Sequence, residues 1–119
     1  MTTLESLGRR ALKCSQWLWV PGMSYFHNGE FHRNSNIPLD AYPDLGDSAT
    51  RHLLGDIIAR VRKGDQIQLD FVSLQNAFSV AVLVRDYKAN VLWHDFYRTG
   101  VNHPVAEALV LALENAGGK

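Results

Sequence analysis

Three segments of the chain repeat apolar residues at the spacing of one face of a helix. The first starts at Thr2, which lies three residues before Glu5 and so predicts a capping box. The second covers residues 48–63 behind Asp47, a residue type that caps helices. The third covers residues 104–115, with Pro104 in its first turn. In the first segment the predicted buried face comprises Leu4, Leu7, Ala11 and Cys14.

Between these segments, shorter runs show the patterns of strands. Trp17 and Trp19 alternate with other residues in 16–23, which predicts a strand that ends near Pro21. Residues 66–72 alternate polar and apolar side chains, as a half-buried strand does. Residues 78–84 are apolar at almost every position, which predicts a central strand covered on both faces. Residues 91–97 predict a last strand, and the short connections require these last three strands to pair antiparallel.

The clearest turn signal is Asn28-Gly29, which favours a two-residue β-hairpin. This register places Phe26 opposite Phe31, and we expect that aromatic pair to face inward. The other face of the hairpin is then predicted to be exposed, and it comprises Tyr25, His27, Glu30 and His32.

The resulting order is α-β-β-α-β-β-β-α in a single domain, 1–119, with residues 34–46 as a loop within it. The predicted fold class is α+β. Three helices and one strand apolar on both faces favour an antiparallel sheet of about four to five strands with helices on both faces.

The amino-acid composition indicates the general class of protein to which the chain belongs. The 119 residues include 46% hydrophobic and 20% charged side chains, which is typical of a globular domain and not of a disordered chain. Cys14 is the single cysteine, so no internal disulfide can form, which favours a reducing compartment. The N-terminal residues lack the apolar core of a signal peptide, and no apolar run approaches the length of a membrane span. We therefore expect a cytoplasmic protein with no membrane partner.

Three blocks of the sequence carry a resemblance to a known group of proteins. The first is residues 7–14 (LGRRALKC) followed by Trp17, Trp19 and Pro21-Gly22-Met23. The second is Pro43-Asp44-Leu45 with Asp47, Ala49 and Thr50, and the third is residues 106–110 (AEALV) with Ala112-Leu113-Glu114. Together they resemble short proteins encoded by bacteriophages and prophages, of the phage ABA-sandwich type. The resemblance implies a small accessory protein in the bacterial cytoplasm that binds a host or phage protein, and inhibition of a host defence system is one form of such binding. It implies no catalytic residues.

The residues themselves offer little catalytic chemistry. His27, Glu30 and His32 could ligate zinc from one hairpin face, but their spacing matches no zinc signature. Gly46-Asp47-Ser48 matches the start of a lipase-type nucleophile block, yet nothing downstream supplies the histidine and acid that a serine nucleophile needs. No phosphate-binding loop or dinucleotide fingerprint is present, so we expect no cofactor and no enzymatic activity. A small enzyme with an unrecognised site is the third hypothesis about function, after the binding of a protein and the binding of nucleic acid.

Two kinds of binding remain. The 12 basic and 12 acidic side chains give zero net charge, which disfavours nucleic acid, although Arg60, Arg62 and Lys63 crowd one helix end. Protein binding is favoured because tyrosine and tryptophan, residue types enriched at binding hot spots, are plentiful. The candidate binding surface comprises Tyr25, His27, Glu30 and His32 together with Arg60, Arg62 and Lys63. A homodimer is a further hypothesis, because residues 66–72 could pair with a second copy if they form an edge strand.

Overall fold

The structure, a computed structural model, describes residues 3–33, 36–73, 75 and 77–116. Within them, three helices and six strands follow one another along the chain. In order they are α1 (Leu4–Leu12), β1 (Tyr25–His27), β2 (Glu30–His32), β3 (Tyr42–Pro43), α2 (Ser48–Val61), β4 (Gln66–Ser73), β5 (Phe78–Arg85), β6 (Val91–Thr99) and α3 (Pro104–Ala116). The predicted α+β class is confirmed, but the strands form two sheets of three instead of one sheet of four to five.

The larger sheet has the antiparallel order β4-β5-β6. The predicted central position of β5 is confirmed, and Val80, Val82 and Val84 on one of its faces are completely buried. Ile67 and Leu69 of β4 pack against the same core, as the alternation in residues 66–72 predicts. This face of the sheet is therefore one wall of the hydrophobic core.

The prediction of helices on both faces of the sheet is wrong. Helix α2 packs on β4 and β5, α3 packs on β5 and β6, and the two helices contact each other on the side of the buried valines. The other face of β5 carries Ser79, Ala81 and Leu83, which are partly exposed. Because Ala81 and Leu83 are apolar although they face outward, the sequence of β5 does not show which of its faces is covered.

The smaller sheet has the order β2-β1-β3, and it contains the predicted hairpin. The predicted register is confirmed, with Phe26 opposite Phe31 around Asn28-Gly29. The third strand, β3, lies in the segment predicted to be loop, where Tyr42 pairs with Phe26. A strand of two residues is too short to show a periodic pattern in the sequence. It is therefore recognised only in the structure, where β3 pairs with β1.

The predicted strand at residues 16–23 does not form. Its backbone hydrogen bonds close locally, from the Trp17 amide to the Cys14 carbonyl and from the Met23 amide to the Val20 carbonyl. Gly22 has φ of +100°, a conformation that breaks an extended strand. The alternating tryptophans instead meet edge to face with ring centroids 5.3 Å apart, over the core.

Caps fix the starts of α1 and α2. Thr2 lies outside the described residues, and the cap of α1 is Thr3, which forms a reciprocal capping box with Ser6 and not with Glu5. The predicted cap of α2 is confirmed, because Asp47 accepts a hydrogen bond of 2.9 Å from the Thr50 amide. No helix in the described part of the chain combines the length and the apolar character that a bilayer crossing requires.

Candidate binding surfaces

The face of the hairpin that is exposed to solvent is opposite to the face predicted to be exposed. Tyr25 is 2% exposed, and its ring packs between Trp19, at 6.2 Å, and His32, at 5.4 Å. Its hydroxyl donates a hydrogen bond to the Asn36 carbonyl. By contrast, Phe31 is 64% exposed. The prediction that Tyr25 is exposed and that Phe26 and Phe31 face inward is therefore wrong.

The other predicted residues of the hairpin form polar contacts beside Tyr25. His27 Nε2 lies 2.9 Å from a carboxylate oxygen of Asp40, and His32 Nε2 lies 3.8 Å from Glu30. Both histidines are partly buried, whereas Glu30 is exposed. Among the described residues, no three histidine, cysteine or acidic side chains lie close enough together to hold a metal ion.

The outward face of the small sheet carries three aromatic rings in a row, which we call the aromatic strip: Phe31, Phe26 and Tyr42. The ring centroids of Phe31 and Phe26 are 4.9 Å apart, and those of Phe26 and Tyr42 are 5.2 Å apart. These distances lie in the range of favourable aromatic pairs. The three strands thus hold the rings in a continuous row that ends in an exposed phenylalanine.

Helix α1 lies against one end of the aromatic strip. The Arg9 guanidinium carbon sits 4.8 Å from the centroid of the Tyr42 ring, and Arg9 Nε donates a 3.0 Å hydrogen bond to Glu5. Such a close approach requires Gly8, because a Cβ atom there would lie 2.7 Å from the Pro43 carbonyl oxygen. Partial burial raises the pKa of the Tyr42 hydroxyl. The result is an aromatic surface bordered by a cation and a carboxylate.

The segment after β2 is tied to the start of α2. Arg33 donates a 2.7 Å hydrogen bond to an Asp47 carboxylate oxygen, while the other oxygen of Asp47 caps the helix. The hydrogen bond from Arg33 is the main cause that lowers the pKa of Asp47 from 3.8 to about 2. This ion pair therefore joins the end of the hairpin to the helix that covers the large sheet.

The three basic residues predicted at the end of α2 do not share one environment. The Arg62 guanidinium lies over the Trp93 ring at 4.2 Å, and this side chain is partly buried. Arg60 and Lys63 are exposed. Arg60 borders a depression of about 290 Å³ beside Leu18. Two of the three cations are therefore available to a ligand at this helix end, whereas Arg62 is held by Trp93.

The two arginines of α1 are paired with acidic side chains. Arg10 forms hydrogen bonds of 2.7 and 3.1 Å with Glu114 of α3, and Arg9 is paired with Glu5. The main packing partners of α1 are α3 and β3. Two acidic side chains thus compensate the charge of α1 locally.

The cavity that lies between the N-terminal ends of α2 and α3 measures about 380 Å³. The titratable groups that line it are Arg51 and His103. Arg51 donates a 3.0 Å hydrogen bond to the Leu45 carbonyl. A second depression, of about 290 Å³, adjoins it between α2 and β4 and shares Arg51 in its lining. Cys14 lies apart from both cavities; its thiol donates to the Arg10 carbonyl, and burial raises its pKa.

Sequence reasoning located the hairpin but missed two members of its outward surface. Tyr42 comes from a segment predicted to be loop, and Arg9 comes from the first helix. Only the pairing of β1 with β3 and the docking of α1 bring these side chains together. The glycine in the helix, Gly8, was the one available signal, since a helical glycine often marks a close approach of another backbone.

Comparisons with models of protein families, with curated proteins and with solved structures find no match for this chain.

Proposed function

We propose that this chain is a non-enzymatic accessory protein of the phage or prophage type, and that it acts by binding another protein through the aromatic strip. The observation that carries the proposal is the exposure of Phe31, 64%, at the end of a row of rings in mutual contact. Aromatic side chains with a neighbouring arginine are the residue types that dominate the energetics of protein interfaces.

The construction of the strip supports this proposal. The rings of Phe26 and Tyr42 are held by strand pairing, so they lose little conformational freedom on binding. Arg9, which lies over the Tyr42 ring, and its partner Glu5 supply charges at one end of the aromatic strip. A pre-organised apolar centre with a charged border is the usual anatomy of a protein-binding site.

The biological setting of the proposal comes from the resemblance to phage-encoded proteins. A protein of this kind would act in the bacterial cytoplasm on a host or phage protein, for example by blocking a component of host defence. Zero net charge and the paired cations of α1 favour a protein partner over nucleic acid.

The proposal is tested by affinity capture from a bacterial lysate, with and without nuclease treatment, with the tagged wild-type chain and two variants. Phe31→Ser removes the exposed end of the aromatic strip. Phe96→Ser is the matched control, because Phe96 is 65% exposed on the large sheet. We expect a stoichiometric protein that the wild type and Phe96→Ser capture and Phe31→Ser does not.

Two results would contradict the proposal. Capture of nucleic acid that is lost on nuclease treatment or at raised salt would indicate binding through Arg60 and Lys63. Equal capture of the protein by Phe31→Ser would show that the aromatic strip is not the binding surface. Thermal unfolding of each variant, measured in parallel, separates loss of binding from loss of fold.

A further inference from the structure

Two adjoining depressions on the helical side of the molecule share Arg51 in their lining. The larger one, of about 380 Å³, lies between the N-terminal ends of α2 and α3. The smaller one, of about 290 Å³, lies between α2 and β4. The larger volume is in the range that small ligands occupy. The aromatic strip lines neither depression, so an argument about them does not rest on the proposed function.

Arg51 is partly buried, yet it has no acidic partner among the described residues. Its Nη1 atom donates a 3.0 Å hydrogen bond to the Leu45 carbonyl, while Nε and Nη2 have no partner in the described part of the chain. Asp47 has the i,i+4 spacing of an ion pair with Arg51. Both oxygens of that carboxylate are already engaged, one by Arg33 and the other by the Thr50 amide. Because a charge taken partly out of water needs a partner, an anion is favoured beside Arg51.

The other side chains around Arg51 do not supply that anion. His103 lines the larger depression and His52 lines the smaller one, and no acidic side chain lines either. Asp56, which lies 3.9 Å from His52, is exposed and belongs to neither lining. The charged and titratable groups that face the two depressions are therefore neutral or positive, which favours a negatively charged ligand.

The smaller depression is apolar beyond Arg51. Ile67 and Leu69 of β4 and Val105 and Leu109 of α3 line it. Ile67, Leu69 and Val105 pack against the core but are still partly exposed. Open apolar surface next to an unpaired cation matches a ligand that carries both a negative charge and an apolar chain.

We propose that the two depressions bind a small amphipathic carboxylate, of the class of a medium-chain fatty acid. The Nε and Nη2 atoms of Arg51 can donate two parallel hydrogen bonds to a carboxylate, the geometry in which arginine binds this group best. The apolar chain then lies along Ile67 and Leu69. At roughly 30 Å³ per non-hydrogen atom, the volume of a water molecule in the liquid, the smaller depression accommodates a chain of about eight carbon atoms.

The test is an NMR titration of the purified, isotope-labelled chain with sodium octanoate up to about 10 mM, a range chosen to exceed the expected Kd tenfold. We expect saturable backbone amide shifts with a Kd of roughly 0.1 to 1 mM, as for other ligands with so few atoms. The shifts should be largest at Arg51 and Val105 and absent at Phe31 and Phe96. Octylammonium has the same chain and the opposite charge, and it should produce no saturable shift. Butyrate should bind at least about tenfold more weakly than octanoate, because its chain buries less apolar surface.

Three variants locate the site. Arg51→Gln removes the charge but keeps a side chain that can donate to the Leu45 carbonyl, and it should weaken octanoate binding about tenfold or more. Arg98→Gln is the matched control, because Arg98 is exposed on the outward face of β6, and it should bind like the wild type. Ser48→Leu leaves Arg51 intact but fills part of the smaller depression, which Ser48 lines. It should weaken octanoate binding about tenfold and leave butyrate binding within about threefold of the wild type.

Circular dichroism and thermal unfolding check that each variant is folded, and Ser48→Leu carries the test if Arg51→Gln does not fold. The absence of a saturable shift in the wild type, or shifts centred outside the two depressions, would overturn the proposal. Octylammonium that binds as tightly as octanoate would overturn it as well, since the site would then not recognise the charge. Octanoate binding that is unchanged in folded Arg51→Gln, or in Ser48→Leu, would have the same consequence.

Discussion

The two sheets have the same number of strands, yet they present different surfaces to solvent. The outward face of the small sheet is a row of three aromatic rings in contact with one another, next to Arg9. The outward face of the large sheet mixes polar and apolar side chains on all three strands. Both Phe31 and Phe96 are about two-thirds exposed, so neither ring contributes much burial to folding. The buried faces of the sheets therefore stabilise the fold, whereas the exposed rings of Phe31 and Phe96 are available for binding.

The sheets also differ in how they are held. The large sheet owes its position to buried valines under α2 and α3, a contact between side chains that can adjust. The strands of the small sheet have two or three residues each, and α1 meets them through a close contact with backbone at Gly8. Short strands contribute few ladder hydrogen bonds. The aromatic strip therefore depends on the docking of α1 more than the large sheet depends on any one contact.

The largest effect is expected from Gly8→Ala. The added Cβ would lie 2.7 Å from the Pro43 carbonyl oxygen, so helix and strand must separate. We expect a loss of about 2 kcal/mol in the free energy of unfolding, after a gain of up to about 1 kcal/mol from helix propensity. Hydrogen exchange should speed up in the small sheet first. Gly55→Ala is the matched control, because its Cβ would meet the Ile67 side chain, and we expect a smaller loss.

A smaller effect is expected where the hairpin is tied to α2. The pKa of Asp47 is lowered to about 2, mainly by Arg33, so its ionised form stabilises the fold above about pH 4. This contribution is lost as the pH falls from about 4 toward 2, because protonation breaks the ion pair. Asp47→Asn keeps a good helix cap but loses the charge, and should cost about 1 kcal/mol at pH 7.

Urea titrations at several pH values measure this effect. The difference between wild type and Asp47→Asn should shrink as the pH approaches 2. A difference that stays constant from pH 7 to pH 2 would show that the carboxylate charge contributes nothing.

The smallest effect is expected at the pair between α1 and α3. Arg10 and Glu114 are each more than one-third exposed, so Glu114→Gln should cost only about 0.5 kcal/mol. Because solvent and salt screen such pairs, the cost should fall further in 1 M salt. Chemical denaturation at low and high salt measures it. A loss above about 2 kcal/mol would mean that this ion pair, and not the packing of side chains, holds α1 against α3.

The sequence predicted the elements with strong local signals. Asn28-Gly29 fixed the register of the hairpin, Asp47 marked the start of α2, and the alternation in 66–72 identified the buried side of β4. Each of these signals acts within a few residues. These signals therefore do not depend on how the helices and sheets pack against one another.

Features that depend on distant segments could not be predicted. In the hairpin, Tyr25 and Phe26 are both aromatic, so a three-residue strand offers no contrast between its faces. Trp19, from another segment, is what packs on Tyr25 and decides the orientation. In β5, Ala81 and Leu83 are apolar although they face outward, so the sequence does not show which face of the strand is exposed. The sequence thus predicted the hairpin correctly but assigned the wrong face of it to solvent.

The most direct test of the account is the affinity of the captured protein for three purified chains, measured by titration calorimetry. Removal of an exposed aromatic anchor costs about 2 kcal/mol, so Phe31→Ser should weaken binding about 30-fold, whereas Phe96→Ser should match the wild type. The reverse pattern, with binding lost on Phe96→Ser and kept on Phe31→Ser, would contradict the assignment of the aromatic strip as the partner-binding surface.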